Sequence, residues 1–76
     1  MIYETGKTIF TPSQSSATVA LSGDYLSKPT VTATACEGDN NDINIAIENI
    51  TKTQFTIILS DAPGASLTVR YIALGE

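Results

Sequence analysis

Apolar and polar residues alternate with a period of two along most of this chain. No stretch shows the 3.6-residue spacing and end caps of a helix. The alternation is clearest in PTVTATA, with Val31, Ala33 and Ala35 on one side and Thr30, Thr32 and Thr34 on the other. SSATVALSG sets Ala17, Val19 and Leu21 against Thr18 and Ala20. INIAIENI aligns Ile43, Ile45 and Ile47, and QFTIILS aligns Phe55, Ile57 and Leu59. SLTVRYIALG aligns Leu67, Val69, Tyr71 and Ala73. GKTIFTP puts Ile9 and Phe10 in a first strand that Pro12 closes, leaving residues 1–8 as an N-terminal arm before a domain at 9–76. Turn-forming residues separate these runs: Gly23, Asp24 and Pro29, then Gly38 to Asp42, then Thr51 and Lys52, then Pro63 and Gly64. About six strands at this spacing predict an all-β fold, a single small antiparallel β-sandwich.

The inward set fills a small core, and the opposite face of an antiparallel sheet is ordinarily polar. The two early strands obey that rule. The later ones do not, because Ala46, Ile50, Ile58 and Ile72 fall on the outward parity. Lying together, they form an apolar patch of the kind that marks an interface. At roughly 1.5 kcal/mol or more for each side chain buried, the patch contributes several kcal/mol. That predicts a homo-oligomer whose copies cover this second face. A slip of register at a bulge would instead return some of these residues to the core.

Size points the same way. A chain of 76 residues buries only about 60% of the surface its unfolded form exposes, and small scaffolds add disulfides, a metal or further copies. Cys36 is the only cysteine and there is no histidine, so an internal disulfide is excluded and the commonest zinc ligand is missing. Oligomerisation is the remaining aid.

Eight acidic residues against four basic ones give a net charge of −4, and Lys7, Lys28, Lys52 and Arg70 form no run. Nucleic acid and anionic membranes are therefore poor partners. MIYETGKTIF lacks the plan of a secretion signal, and no apolar run is long enough to cross a bilayer. A single thiol fits a reducing compartment, or a protein made in cytosol and used elsewhere.

Few residues offer chemistry. Without histidine the usual base near neutral pH is missing. Cys36 has no histidine partner and sits beside Glu37, which disfavours a thiolate. Glu37, Asp39, Asn40, Asn41 and Asp42 supply oxygens for calcium, but their spacing departs from an EF-hand loop at Ile43. Asp24, Glu48, Asp61 and Glu76 are dispersed, whereas acid–base carboxylates share one cleft. Asn49-Ile50-Thr51 matches a glycosylation acceptor and reads as turn chemistry. The expectation is no enzyme, no metal and no cofactor. For sugars, Tyr3 and Tyr25 are the available rings, and Tyr25 beside Asp24 is the one plausible platform, with the loops at 37–42 and 60–66 around it.

In order, ATVALSGDYLSKPTVTATA, NDINIAIENITKTQFTIIL and LTVRYIALGE resemble the H-type lectin domain, the snail agglutinin family. Pro29, the Asn49-Ile50-Thr51 corner, Phe55 and the ending Tyr71-Ile72-Ala73-Leu74-Gly75 occupy the places of that family's short motifs, across Thr18 to Gly75. The resemblance implies a six-stranded sandwich that assembles as a trimer and binds N-acetylgalactosamine-type sugars between subunits. Two family features are replaced here. INIAIE has no arginine in the strand before the corner, and SDAPGAS has no Trp or His in the loop after the Phe strand. Of the sugar site, only Asp24 and Tyr25 match.

Small sandwiches of this kind also resemble bacteriophage modules, at tail-fibre ends or as trimers decorating the head. From Met1 to the last strand the sequence reads as a stand-alone piece without shaft or coiled coil. The expectation is a non-enzymatic homotrimer in a virion, made in the host cytoplasm and partnered by capsid or tail proteins. In that reading Ala46, Ile50, Ile58 and Ile72 form the subunit interface, and Ile2 and Tyr3 anchor the arm to a scaffold. The alternative is a secreted or cell-surface lectin.

Overall fold

The computed structural model describes residues 1–38 and 43–76, with Glu37 described by its backbone alone. Within them the chain forms six strands: β1 (Ile2–Phe10), β2 (Ser16–Ala20), β3 (Thr30–Gly38), β4 (Ile45–Glu48), β5 (Gln54–Leu59) and β6 (Leu67–Gly75). They pair as two three-stranded antiparallel sheets, β1-β6-β3 and β2-β5-β4. The expected all-β antiparallel architecture is present.

One expectation fails at the N-terminus. Residues 2–8 are no arm: they are strand, paired with β6 from Ile2–Gly75 to Phe10–Leu67. Ile2 is half-buried and packs against the core, while Tyr3 points outward.

The sheets close on a core of Phe10, Tyr25, Val31, Phe55, Ile57, Leu59, Leu67, Val69 and Ala73. Val19, Leu21, Val31, Ile43, Ile45, Ile47, Phe55, Ile57, Leu59, Leu67, Val69 and Tyr71, which parity assigns inward, are all in this core or packed against it. Ile50, assigned outward, also packs against it. The chain leaves β4 through Asn49 at φ 53°, a left-handed conformation that asparagine tolerates. This turns Ile50 back under the sandwich. Thr51 then closes the corner: its Oγ1 accepts from the N–H groups of Thr53 (3.2 Å) and Gln54 (3.1 Å). The N-I-T sequence is turn chemistry, as expected.

Thr11-Pro12-Ser13-Gln14 carries the chain from the first sheet to the second. Gln14 N–H donates to the Thr11 carbonyl at 3.1 Å, and Ser13 has φ 75°. Pro at the second position and positive φ at the third define a type II turn. Serine is disfavoured there and a β-branched residue more so. Ser13→Val is expected to destabilise by about 1–2 kcal/mol, and Ser13→Gly to be neutral or better, measured as urea midpoints by circular dichroism.

Cys36 is the extra residue of a bulge in β3, where the register shifts between Ala35 and Glu37. It is exposed, and its thiol donates to the Thr34 carbonyl at 3.4 Å.

Candidate functional site

Strand pairing places the outward side chains in rows. On the β1-β6-β3 sheet the rows are Tyr3–Leu74–Thr30, Thr5–Ile72–Thr32, Lys7–Arg70–Thr34 and Ile9–Thr68. Tyr3 is 70% exposed, Ile9 54%, Ile72 47% and Leu74 42%. Met1 and Leu26 add exposed apolar surface at the Tyr3 end. On the β2-β5-β4 sheet the outward rows are Ala20–Gln54, Thr18–Thr56–Glu48 and Ser16–Ile58–Ala46. The Thr18 and Thr56 hydroxyls lie 3.4 Å apart.

The four residues expected to form one interface are therefore divided. Ala46 and Ile58 are direct neighbours on the outer face of one sheet, Ile72 is on the outer face of the other, and Ile50 packs against the core. Period-two parity identifies an outward side chain but not the sheet that carries it. What parity did not reveal is the patch of Tyr3, Leu74 and Ile72 in two adjacent rows, with Ile9 beyond the cations. Its signal was the pair of apolar residues Tyr3 and Ile9 flanking Lys7 at odd positions of β1.

The residues expected to contact sugar do not form a site. Asp24 is exposed, but Tyr25 is buried at 5% exposure. Its ring lies against Gly23 and Gly75, where an added Cβ would sit 2.9 Å and 2.7 Å from ring carbons. Its hydroxyl donates to Glu4 Oε1 at 2.8 Å. Glu4 Oε1 also accepts from the Gly23 N–H (3.0 Å), and Oε2 accepts from the Ser22 N–H and hydroxyl, both at 3.0 Å. Burial raises the Glu4 carboxyl, but these four donors outweigh it, and the group titrates below its ordinary value. Tyr25 is pushed up to about 12, first by desolvation and then by the hydrogen bond and charge of Glu4. The pair is a structural latch that fastens the 21–26 connector to β1.

The loop at 60–66 is at the other end of the molecule. β3 starts opposite Leu74 beside the Tyr25 loop and ends opposite Leu67 beside that loop, a separation of roughly 24 Å at about 3.4 Å per residue along β6. There Pro63 is buried and its carbonyl accepts from the Ser13 N–H at 3.4 Å. Asp39 to Asp42, considered for calcium and as a sugar-contacting loop, lie outside the described residues. Among the described residues no three acidic or thiol side chains gather to hold a metal, and no pocket opens.

Comparisons with protein-family models, with curated proteins and with solved structures gave no match.

Proposed function

We propose that this chain is a non-enzymatic structural protein of a virion, a head-decoration or tail-fibre component that works through contacts with copies of itself and with larger particle proteins. One observation carries the reading: Tyr3, Leu74 and Ile72 occupy adjacent rows on an exposed sheet face. A small domain that leaves such residues uncovered side by side on a sheet face has the form of a docking face. The virion setting rests on the resemblance to small phage sandwiches, an argument at the level of fold. The trimer implied by the H-type lectin resemblance is one form such contacts take.

The lectin reading has less to support it, since the Tyr25 ring is enclosed and its hydroxyl is committed to Glu4. The expected results are an oligomeric mass by light scattering at micromolar to millimolar concentration, a shift to monomer in the Ile72→Asp, Leu74→Asp double variant, and no signal on a glycan array. A monomer throughout that concentration range would overturn the structural reading. Glycan binding lost in Asp24→Ala would replace it with the lectin.

A further inference from the structure

We infer that β1 is a pairing edge: two copies join by their β1 strands, antiparallel about a twofold axis at Gly6, so that their β1-β6-β3 sheets run on as one sheet. The inference rests on the proposed assembly role and specifies one of its contacts.

A strand at the edge of a sheet carries a row of unpaired N–H and C=O groups, and folded proteins blunt such edges by keeping them short or bulged. The edge strands here are β1 and β3 on one sheet and β2 and β4 on the other. β2 has five residues and β4 four. β3 is broken by the Cys36 bulge. β1 has neither protection: its nine residues pair with β6 without a shift of register. Among the described residues no main-chain group of β1 bonds to any segment other than β6. The 21–26 connector reaches β1 through inward side chains, Glu4 by hydrogen bonds and Ile2 by its closeness to Gly23.

The order of residues in β1 points to a second copy as the occupant. Ile2-Tyr3-Glu4-Thr5-Gly6-Lys7-Thr8-Ile9-Phe10 runs apolar, apolar, polar, polar, glycine, polar, polar, apolar, apolar, the same from either end. Residues directly opposite in an antiparallel pair point to the same face, so the twofold axis of two identical strands passes where a residue meets its own copy. With Gly6 at the axis, Ile2 faces Phe10, Tyr3 faces Ile9, Glu4 faces Thr8 and Thr5 faces Lys7. Every residue of the strand is then paired, and apolar meets apolar throughout. Moving the axis to Thr5 sets Ile2 against Thr8 and Tyr3 against Lys7. Moving it to Lys7 sets Lys7 against Lys7 and Glu4 against Phe10. An aromatic ring opposite a β-branched residue is a favourable cross-strand pair, and the Tyr3–Ile9 pair occurs twice, once on each side of the axis. About eight main-chain hydrogen bonds accompany it, since alternate residues turn both their polar groups to the free side.

The pairing also accounts for Ile9. Within one copy, the Lys7–Arg70 row separates Ile9 from Ile72, Leu74 and Tyr3. In the pair, Ile9 extends the row of the second copy's Leu74 and Tyr3, so two apolar rows cross the joined sheet. A nine-residue edge is roughly 30 Å long, and with a depth of about 10 Å the contact covers about 300 Å² per copy. That is less than a stable specific interface buries. The edge is accordingly weak alone, and it acts together with the outer sheet face, which it doubles in width.

Thiol trapping tests this in the full chain, with Cys36→Ser as the background and a glutathione redox buffer as the oxidant. Positions 3 and 9 are about 20 Å apart along one strand, beyond disulfide reach, whereas residues directly opposite in an antiparallel pair are about 5 Å apart. Tyr3→Cys/Ile9→Cys is therefore expected to form a covalent dimer with two bridges. Tyr3→Cys/Lys7→Cys bridges only if the strands slip by two residues, and is expected to give at least about tenfold less dimer, because a second bridge closes at high effective concentration only in register. All three positions are exposed, and circular dichroism confirms that both variants fold. Trapping is expected to persist when Ile72→Asp and Leu74→Asp are added, since neither residue is in the edge contact. Peptide mapping that finds the link between positions 3 and 9 is the supporting result. A double variant that stays monomeric while the wild type assembles overturns the inference, leaves the proposed function standing and frees the edge for a strand of a different protein. Equal trapping in the two variants also overturns it. A wild type that is monomeric at every concentration, with no trapping, overturns both.

Discussion

Phe55→Ala is expected to leave the domain largely unfolded at 25 °C. Phe55 is on β5, the central strand of its sheet, with no exposed surface. Its ring meets Tyr71 of the central strand of the other sheet edge to face, with centroids 5.1 Å apart at 69°. Truncating a buried phenylalanine costs about 3–5 kcal/mol through lost transfer energy and the cavity left behind, and an aromatic pair adds about 0.5–1.5 kcal/mol. A domain of this length has only about 4–11 kcal/mol in total. The damage does not stop at the cavity, because Tyr71 covers Gly6 in β1, where an added Cβ would lie 2.6 Å from its Cζ. Losing Phe55 frees the ring that spans from β6 to β1. Phe55→Leu keeps most of the volume and is expected to cost about 1–2 kcal/mol. The measurement is urea denaturation followed by circular dichroism. A loss of less than about 2 kcal/mol in Phe55→Ala would show that the sheets do not meet through this pair.

The same two residues show what the sequence made legible. Phe55, Ile57 and Leu59 face inward where alternation put them, as do Leu67, Val69 and Tyr71, because each strand sets apolar residues against more polar or more exposed neighbours. β1 was illegible for the same reason in reverse. Its inward positions are Ile2, Glu4, Gly6 and Thr8, and its outward positions are Tyr3, Thr5, Lys7 and Ile9. Gly6 is inward because the Tyr71 ring needs the space, and Glu4 because it holds the connector. Neither reason appears in β1's own pattern, since both partners lie far along the chain. Tyr25 was misplaced likewise. A tyrosine beside an aspartate in a connector reads as a surface ring until Glu4, 21 residues earlier, is seen to bind its hydroxyl. The candidate face was half legible: Ile72 was identified as outward and Leu74 shares its parity two residues on in β6, but Tyr3 joins them only through the β1–β6 register.

Removing the Glu4 carboxylate is expected to release the 21–26 connector and lower stability by about 2–4 kcal/mol. Four donors converge on its two oxygens. Hydrogen bonds to a charged group contribute about 1.5–3 kcal/mol each, with less than full additivity, and donors left unmet in a half-buried site add to the cost. Glu4→Gln keeps the shape but loses the charge and an acceptor, so it is expected to fall between wild type and Glu4→Ala. The latch also sets a pH profile with two edges. The Glu4 carboxyl titrates lower in the folded state than in the unfolded one. Its contribution is therefore complete above the ordinary carboxylate range and is lost as pH falls below about 4. Tyr25 is shifted the other way, to about 12. Its contribution is complete below the ordinary tyrosine value of about 10 and is lost as pH rises from there through the folded value. Glu4→Gln should flatten both edges of stability against pH, since the Tyr25 shift depends in part on the Glu4 charge. Tyr25→Phe should flatten the alkaline edge while leaving most of the acid edge, because Ser22 and Gly23 still donate to Glu4. An alkaline edge unchanged in Tyr25→Phe would assign that edge to other groups and remove Tyr25 from the latch.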